Sequence, residues 1–225
     1  MMIIYDIIST ILCIQYHKKL KEDINMIITI DGPDGAGKTT LARMLEEYLR
    51  NEGYDTLFTC EPTKSSLGQE IRRILAGGTE EEKKTLTTLF VKDRAEHVEE
   101  MKVWSNEGKT VISDRYRYST VVYQHLQGED TRDLINLNYD FPSPDITFIV
   151  TTDNVDILLD RITSRGQDRD FFETKQNLTI AVTEYSKMKE YFPNDNIIYI
   201  DCEKKLGENV KIMSDIIKNY GEKNE

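Results

Sequence analysis

Short, mostly apolar runs recur along most of the chain, and longer stretches of helical periodicity separate them. The runs are rich in β-branched and aromatic residues, which favour strands, and polar or turn-forming residues bound each of them. They predict five buried strands, at residues 27–30, 56–59, 110–113, 146–150 and 197–200.

Between these runs, apolar residues recur at the three- and four-residue spacing of amphipathic helices. This spacing predicts helices over about residues 41–49, 66–107 and 206–217, the second with a break near Gly77. Largely apolar strands that alternate with helices need cover on both faces. The pattern therefore predicts an α/β fold, a doubly wound five-stranded parallel sheet with helices on both faces. Ligands of such sheets bind beyond the carboxyl ends of the strands.

The first 25 residues do not share this alternation. Residues 1–14 are rich in isoleucine, but polar side chains interrupt them, and a membrane span needs about 20 apolar residues. They also lack the basic start and the small-residue cleavage site of a signal peptide. Composition favours the interpretation that Met26 is the true start and that residues 1–25 are a mis-called extension; the alternative is an amphipathic docking helix. We expect one domain over residues 26–225.

The net charge of the chain restricts the classes of ligand that it is expected to bind. Asp and Glu number 40 and Lys and Arg 29, which gives a formal net charge of −11. This balance disfavours a nucleic-acid coat or a protein of anionic membranes, but it leaves room for a small anionic ligand where cations gather locally. Cys13, Cys60 and Cys202 lie far apart and lack metal-ligand or redox spacing. We therefore expect reduced thiols in a cytoplasmic protein.

A glycine-rich loop between the first strand and the following helix matches the pattern G-x-x-x-x-G-K-S/T without a mismatch. Its glycines let successive backbone N–H groups point at phosphate oxygens, and the helix N-terminus adds positive charge. Lys38 would reach the β- and γ-phosphates of a nucleotide, and the Thr39 hydroxyl would hold Mg²⁺. Asp34 is a further candidate ligand of the metal or its water shell. The alternative is a glycine-rich turn with a solvated lysine. The predicted nucleotide-binding residues are Gly32, Pro33, Asp34, Gly35, Ala36, Gly37, Lys38, Thr39 and Thr40.

A second group of charged residues follows the third strand. Asp114 would lie beside the phosphate loop, where it could hold the Mg²⁺ shell or orient an attacking phosphate oxygen. Arg115 offers a planar fork for a second anion. The alternative is a local ion pair between Asp114 and Arg115. A base-reading N-K-x-D motif is absent from the sequence, which argues against a regulatory GTPase.

These segments, with others in the same order, resemble the thymidylate kinases, which phosphorylate dTMP to dTDP. The resemblance covers the chain from Met26 to Glu225. It rests on the ordered segments 31–40, Glu61-Pro62-Thr63, Ile71-Arg72, 89–94, Asp114-Arg115-Tyr116, Ser119-Thr120 and Tyr123-Gln124.

The resemblance implies roles for residues that contact the acceptor nucleotide. Arg72 and Arg115 would grip the dTMP phosphate. Phe90 would stack on thymine, and because stacking suits any base, polar contacts must choose the base. Arg94 would supply one of them by donating to a thymine carbonyl.

The same resemblance places three further residues in the acceptor pocket. Thr120 and Gln124 would line it, and Tyr123 would pack under the sugar and disfavour a 2′-hydroxyl. Taken singly, some of these residues have plainer interpretations. Phe90 or Tyr123 would be a core aromatic residue, and Arg94 would be a surface charge with Glu partners.

An arginine-rich segment follows the helix after the fourth strand. Arg161, Arg165 and Arg169 recur at a spacing of four, and phosphoryl transfer needs cations around the migrating group. Because positions 33–36 carry no basic residue, the chain resembles the thymidylate kinases whose lid supplies the arginine. Arg165 and Arg169 are the preferred lid cations; a solvated helix end is the alternative. Residues 170–173 do not match the spacing of the family's acidic residues.

We therefore predict transfer of the γ-phosphoryl group of MgATP to dTMP, on the route to dTTP, with ATP and Mg²⁺ as cofactors. The resemblance implies a homodimer. The thiols indicate a cytoplasmic protein, and the acidic charge argues against nucleic-acid or membrane partners. Alternatives are a related kinase for another nucleotide or a deoxynucleoside, and a catalytically silent nucleotide-binding regulator. The acidic balance and small size disfavour a nucleic-acid-dependent ATPase.

Overall fold

The protein is described from a computed structural model, in which residues 25–164 and 171–224 are placed. Their strands form one parallel sheet in the order β2-β3-β1-β4-β5, with β1 in the centre and two strands on each side of it. This confirms the predicted doubly wound sheet. The strands are β1 (Ile27–Asp31), β2 (Thr56–Cys60), β3 (Thr110–Asp114), β4 (Ile146–Thr151) and β5 (Ile197–Asp201).

Helices connect the strands and cover both faces. The long predicted region before β3 is divided into three of them. The helices are α1 (Lys38–Asn51), α2 (Ser66–Gly77), α3 (Glu80–Lys83), α4 (Leu86–Asn106), α5 (Arg117–His125), α6 (Thr131–Tyr139), α7 (Val155–Thr163), α8 (Lys175–Ser186), α9 (Met188–Tyr191) and α10 (Leu206–Asn224), with a 3₁₀ turn at Phe171–Glu173.

Each strand continues one residue beyond its apolar run, and in four of the five strands this last residue is polar. Asp31 ends β1 and Asp114 ends β3, and Asp114 pairs in register with Ile30. Asp31 lies one residue beyond that pair, so the two carboxylates stand on opposite faces of the sheet. Both lie at its carboxyl edge, where ligands of such folds bind.

Two apolar clusters hold the helices to the sheet. On one face, Ile28 and Phe148 pack with residues of α1, α7 and α10. On the other face, Val111 and Ile149 pack with residues of α4, α5 and α8. Alternate strand residues thus serve opposite clusters, as expected for a sheet that is buried on both sides.

A buried ion pair joins the start of α5 to the loop before β5. Arg117 donates to both carboxylate oxygens of Asp195, at 2.5 and 2.6 Å, and both side chains are 2% exposed. Arg117 also donates to the Phe141 carbonyl at 2.5 Å, so the pair fixes the chain before β4 and before β5.

Two further observations concern the thiols and the helices. Cys60 and Cys202 are free thiols in the part of the chain that is placed, and Cys202 is buried; Cys13 lies outside it. None of the placed helices combines the length and the apolar composition that crossing a membrane requires.

Removal of the Asp195 carboxylate tests how much the ion pair between Arg117 and Asp195 stabilises the fold. Asp195→Ala leaves the buried guanidinium of Arg117 without its counter-charge, and we expect the free energy of unfolding to fall by about 3–5 kcal/mol. Urea denaturation measures it. Glu99→Ala is the control, because Glu99 forms an exposed pair with Lys102, and its loss should change stability by less than about 1 kcal/mol. Equal effects of the two substitutions would contradict the assignment.

Candidate active site

The glycine-rich loop between β1 and α1 depends on backbone conformations that favour glycine. Gly32, Gly35 and Gly37 have φ values of 142°, 82° and 88°. A Cβ on Gly32 would lie 2.1 Å from the Val150 carbonyl oxygen, and one on Gly35 would lie 2.5 Å from that of Leu158. The loop therefore approaches the backbone of β4 and α7 more closely than any side chain allows.

Lys38, the first residue of α1, folds back over this loop. Its Nζ donates to the Pro33 carbonyl at 2.8 Å and lies 3.6 Å from the Asp34 carboxylate. Burial and the nearby Arg115 charge together lower the pKa of Lys38 to about 8, against the opposing effect of Asp34. The ammonium group is thus confined where the loop would meet phosphate oxygens.

Thr39 and Asp114 bring two oxygen donors together beside the loop. The Thr39 hydroxyl donates to Asp114 Oδ2, and Asp114 Oδ1 is buried without a hydrogen-bond partner. Hydroxyl and carboxylate oxygens are the donors that Mg²⁺ prefers, so this pair fits the ion. Within residues 25–164 and 171–224, no cluster of three or more His, Cys, Asp or Glu side chains could hold a metal. Phosphate and water oxygens would therefore complete the shell.

Arg115 bridges the phosphate loop and α5. It adopts φ 77°, and its guanidinium donates to Asp34 and, at 3.0 Å, to Ser119 Oγ. It also lies over the Tyr123 ring, 5.0 Å from the centroid. The alternative of an ion pair between Arg115 and its neighbour Asp114 is therefore wrong, because Asp34 is the carboxylate that Arg115 contacts.

Asp34 is the counter-charge of two cations. Burial opposes its ionisation, but Arg115 and Lys38 together lower its pKa to about 2. Its carboxylate is therefore ionised throughout the physiological range, and it also faces the cavity described below. Its predicted contact with a metal or its water shell stays a prediction.

Asp31 ties the loop to two other elements. Its Oδ1 accepts from Ser119 Oγ at 2.6 Å, from the Tyr185 hydroxyl at 2.7 Å and from the Gly32 N–H at 3.1 Å. Its Oδ2 accepts from the Tyr116 N–H at 2.9 Å. Asp31 belongs to a motif in the sequence, but the sequence does not indicate these hydrogen bonds, because Ser119 and Tyr185 lie far along the chain.

A cavity opens beside Arg115. It encloses about 120 Å³ of space accessible to water. Six of the seven predicted acceptor residues line it; Arg72 does not. The lining residues are Asp34, Glu61, Pro62, Leu75, Phe90, Arg94, Arg115, Ser119, Thr120, Tyr123, Gln124, Gln127 and Phe172.

Arg94 is a buried cation of this cavity wall, 1% exposed, so the alternative of a surface charge is wrong. Its Nε and Nη2 donate to Glu61 Oε2 at 2.9 and 2.7 Å. Nη2 also donates to Thr120 at 2.9 Å and Nη1 to Asn138 at 2.5 Å. His97 contacts the second Glu61 oxygen at 3.1 Å. A sequence of one chain does not reveal such pairings, so Glu61, Asn138 and His97 are additions to the predicted site.

Gln124 and Phe90 contribute a polar and an apolar surface to the cavity. Gln124 is fully buried, yet neither its amide nitrogen nor its amide oxygen has a hydrogen-bond partner. Buried polar groups are rarely left unpaired, because desolvation then costs about 1–3 kcal/mol. Phe90 is half-buried and packs on Ile71, Ile74 and Leu86, so the core interpretation and the cavity interpretation both hold for it.

Arg72 has a different environment from the other predicted acceptor residues. Its guanidinium donates to the carbonyl oxygens of Pro62, Thr63 and Gly68, the latter two at 2.5 and 3.2 Å. It thereby fixes the loop that follows β2. Its predicted contact with a phosphate stays a prediction.

The arginine-rich segment is described only in part. Arg161 lies in α7 and donates to the Cys202 carbonyl at 2.9 Å. Arg165 and Arg169 lie outside the described residues, so their predicted roles stay predictions.

The sequence is similar to known proteins of one family. The profile of the family described as Thymidylate kinase matches residues 30–212. A "Probable thymidylate kinase" of Thermococcus kodakarensis is 41% identical over 184 residues, which cover 77% of this chain and 88% of that protein. Proteins of the same name from Methanocaldococcus jannaschii and Methanococcus aeolicus are 36% and 35% identical, over 83% and 89% of this chain and 92% and 98% of their own lengths.

A methyl group at Gly32 tests the close approach of the loop to β4. Gly32→Ala should lower the free energy of unfolding by at least about 2 kcal/mol, because its Cβ meets the Val150 carbonyl and its φ is strained. Gly207→Ala is the control: Gly207 lies in α10 with nothing within 4 Å of the added Cβ, so stability should rise by up to about 1 kcal/mol. Urea denaturation of both variants checks this, and a Gly32→Ala protein as stable as the parent would refute it.

Proposed function

The chain belongs to the thymidylate kinase family, and we propose that its acceptor cavity binds dTMP while its phosphate loop binds ATP. The protein phosphorylates dTMP to dTDP, with ATP as the phosphoryl donor, as its family does. The observation that carries the site assignment is the cavity wall, where a buried arginine and an unpaired buried amide meet beside Arg115 and the phosphate loop.

The base would be chosen by groups whose hydrogen-bonding character is fixed. Arg94 can only donate, so it favours the O4 carbonyl of thymine over the amino group that cytosine presents at the same position. Gln124 can both donate and accept, which suits the neighbouring imide edge of thymine. Phe90 offers its ring face for stacking. Glu61 holds the Arg94 guanidinium in place at 2.7 and 2.9 Å, so the donor is pre-organised.

The acceptor phosphate and sugar would lie closer to the phosphate loop. Arg115 would grip the phosphate, because its planar guanidinium lines the cavity beside Asp34 and suits bidentate contact with phosphate oxygens. Arg72 would add a second guanidinium, as the family resemblance implies. Tyr123 would pack under the sugar, where its ring leaves little room for a 2′-hydroxyl.

The donor phosphates would be bound by the loop N–H groups and by Lys38. Thr39 and Asp114 would hold Mg²⁺, which when bound neutralises charge on the phosphates. Arg165 and Arg169 would contribute further positive charge. The protein's task is then to align two anions and to offset the charge between them, without a covalent enzyme intermediate.

Three further properties are proposed from the family resemblance. The kinase domain would span residues 26–225, with residues 1–25 as an extension. Two copies would form a homodimer through the helices that precede β3, and the protein would work in the cytoplasm.

Measurement of ADP release with MgATP and a panel of acceptors tests the assignment. We expect dTMP to be the best substrate, and dCMP to react at least about a hundredfold less efficiently, because its amino group leaves the buried Arg94 donor unpaired. Similar activity with dCMP, AMP or thymidine would overturn the acceptor assignment. ATP binding without turnover on any acceptor would instead indicate a regulator.

The unpaired amide gives a second test, in which stability and activity change independently. Gln124→Leu removes a buried polar group without partners, so the empty protein should be as stable as the parent or more stable. The KM for dTMP should nevertheless rise about tenfold or more, because two hydrogen bonds to the base are lost.

Ser214→Ala is the matched control for this test. Ser214 is equally buried and its hydroxyl also lacks a partner, but it lies in α10 and outside the cavity. Its removal should leave both KM and kcat unchanged. An unchanged KM for Gln124→Leu would remove Gln124 from the base-binding site.

A further inference from the structure

Phe172 is a wall residue of the acceptor cavity that the sequence analysis does not assign to the site. It lies in the 3₁₀ turn before α8 and is 8% exposed. Its ring meets the Tyr123 ring edge to face, with centroids 5.2 Å apart and an interplanar angle of 84°. This is the favourable geometry for two aromatic rings, so the contact restrains the orientation of Tyr123.

Phe172 also separates two cavities. A second cavity of about 480 Å³ lies on its other side. Leu75, Gln127 and Phe172 line both cavities, whereas Tyr123 lines only the smaller one. The larger cavity also contacts Leu126, which lies three residues after Tyr123 and therefore on the same side of α5. Phe172, which contacts the Tyr123 ring, is thus also a wall of open space that Tyr123 itself does not line.

This arrangement matters because a side chain excludes a substituent only if it cannot move aside. The face of the Tyr123 ring is held by the Arg115 guanidinium, 5.0 Å from its centroid. On the side of the larger cavity, Phe172 is the aromatic residue in contact with it. Without the Phe172 ring, Tyr123 could yield to a hydroxyl group at little cost.

We propose that Phe172 is a positioning residue that wedges Tyr123 against the acceptor sugar and so sets the preference for 2′-deoxyribose over ribose. The proposal rests on the proposed function, in which Tyr123 packs under the sugar of dTMP. Phe172 itself need not touch the nucleotide. Its effect is on the freedom of the Tyr123 ring.

The test compares dTMP with its ribose counterpart, ribothymidine 5′-phosphate, as acceptors of the full-length enzyme with MgATP. The readout is the ratio of the two kcat/KM values. Phe172→Ala should lower this ratio about threefold to tenfold, the range that loss of an aromatic pair produces. The change should arise mainly from a lower KM for the ribonucleotide. Phe172→Leu, which keeps most of the volume, should fold even if the alanine variant does not, and should lower the ratio less.

Phe192→Leu is a matched control. Phe192 meets Tyr118 at the same centroid distance of 5.2 Å and the same angle of 84°, and it is 2% exposed, but it lies in the core outside the acceptor cavity. This variant should lose thermal stability and keep the parent ratio. A ratio that falls equally for Phe192→Leu and the Phe172 variants would overturn the proposal, because it would reflect general loosening of the fold.

Tyr123→Ala separates failure of the inference from failure of the proposed function. If Tyr123→Ala lowers the ratio and both folded Phe172 variants keep it, Tyr123 discriminates between the two sugars without support from Phe172, and the inference is wrong. If Tyr123→Ala also keeps the ratio, the placement of the sugar against Tyr123 is wrong, and the inference is lost with it.

Discussion

The site depends on the hydrogen bonding of a single buried carboxylate, that of Asp31. Burial raises its pKa above the ordinary value, although Arg115 and its hydrogen-bond donors oppose that shift. A carboxylate in such a position is tolerated only when donors surround it. Here the donors are the Gly32 N–H of the phosphate loop, the Tyr116 N–H and the Ser119 hydroxyl after β3, and the Tyr185 hydroxyl of α8. Hydrogen bonding to one carboxylate therefore holds these three segments together.

Arg115 is held in place by the same arrangement. Its positive φ of 77° is unfavourable for a residue with a side chain, by about 1–2 kcal/mol. Its N–H nevertheless donates to the Ile30 carbonyl at 2.9 Å, and the following residue, Tyr116, donates to Asp31. The backbone is therefore strained where the guanidinium must turn from the sheet edge toward Asp34 and the cavity.

Much of the fold could be predicted from the sequence, because the strands are buried on both faces and read as continuous apolar runs. The phosphate loop could be predicted because its residues are contiguous. Helix α5 was not predicted. It has nine residues, and its buried side chains include polar ones such as Arg117 and Gln124, which a hydrophobic pattern does not mark as buried.

The parts of the site that escaped prediction are contacts between distant residues. Tyr185 lies 154 residues from Asp31, and Glu61 lies 33 residues from Arg94. Nothing in the local pattern around either residue indicates its partner. The family resemblance supplied the acceptor residues, but it did not include Phe172, whose segment departs from the spacing of the family.

The pairing of Arg94 with Glu61 has a consequence for how this pocket can change over time. Both side chains are buried, so replacing either one alone leaves an uncompensated charge in the interior. The two positions are energetically coupled, and effects at coupled positions do not add. A descendant that reads a different base must therefore alter both residues together, or pass through an unstable intermediate. The ion pair that holds Arg94 in place thus also makes the base specificity of the pocket difficult to change by single substitutions.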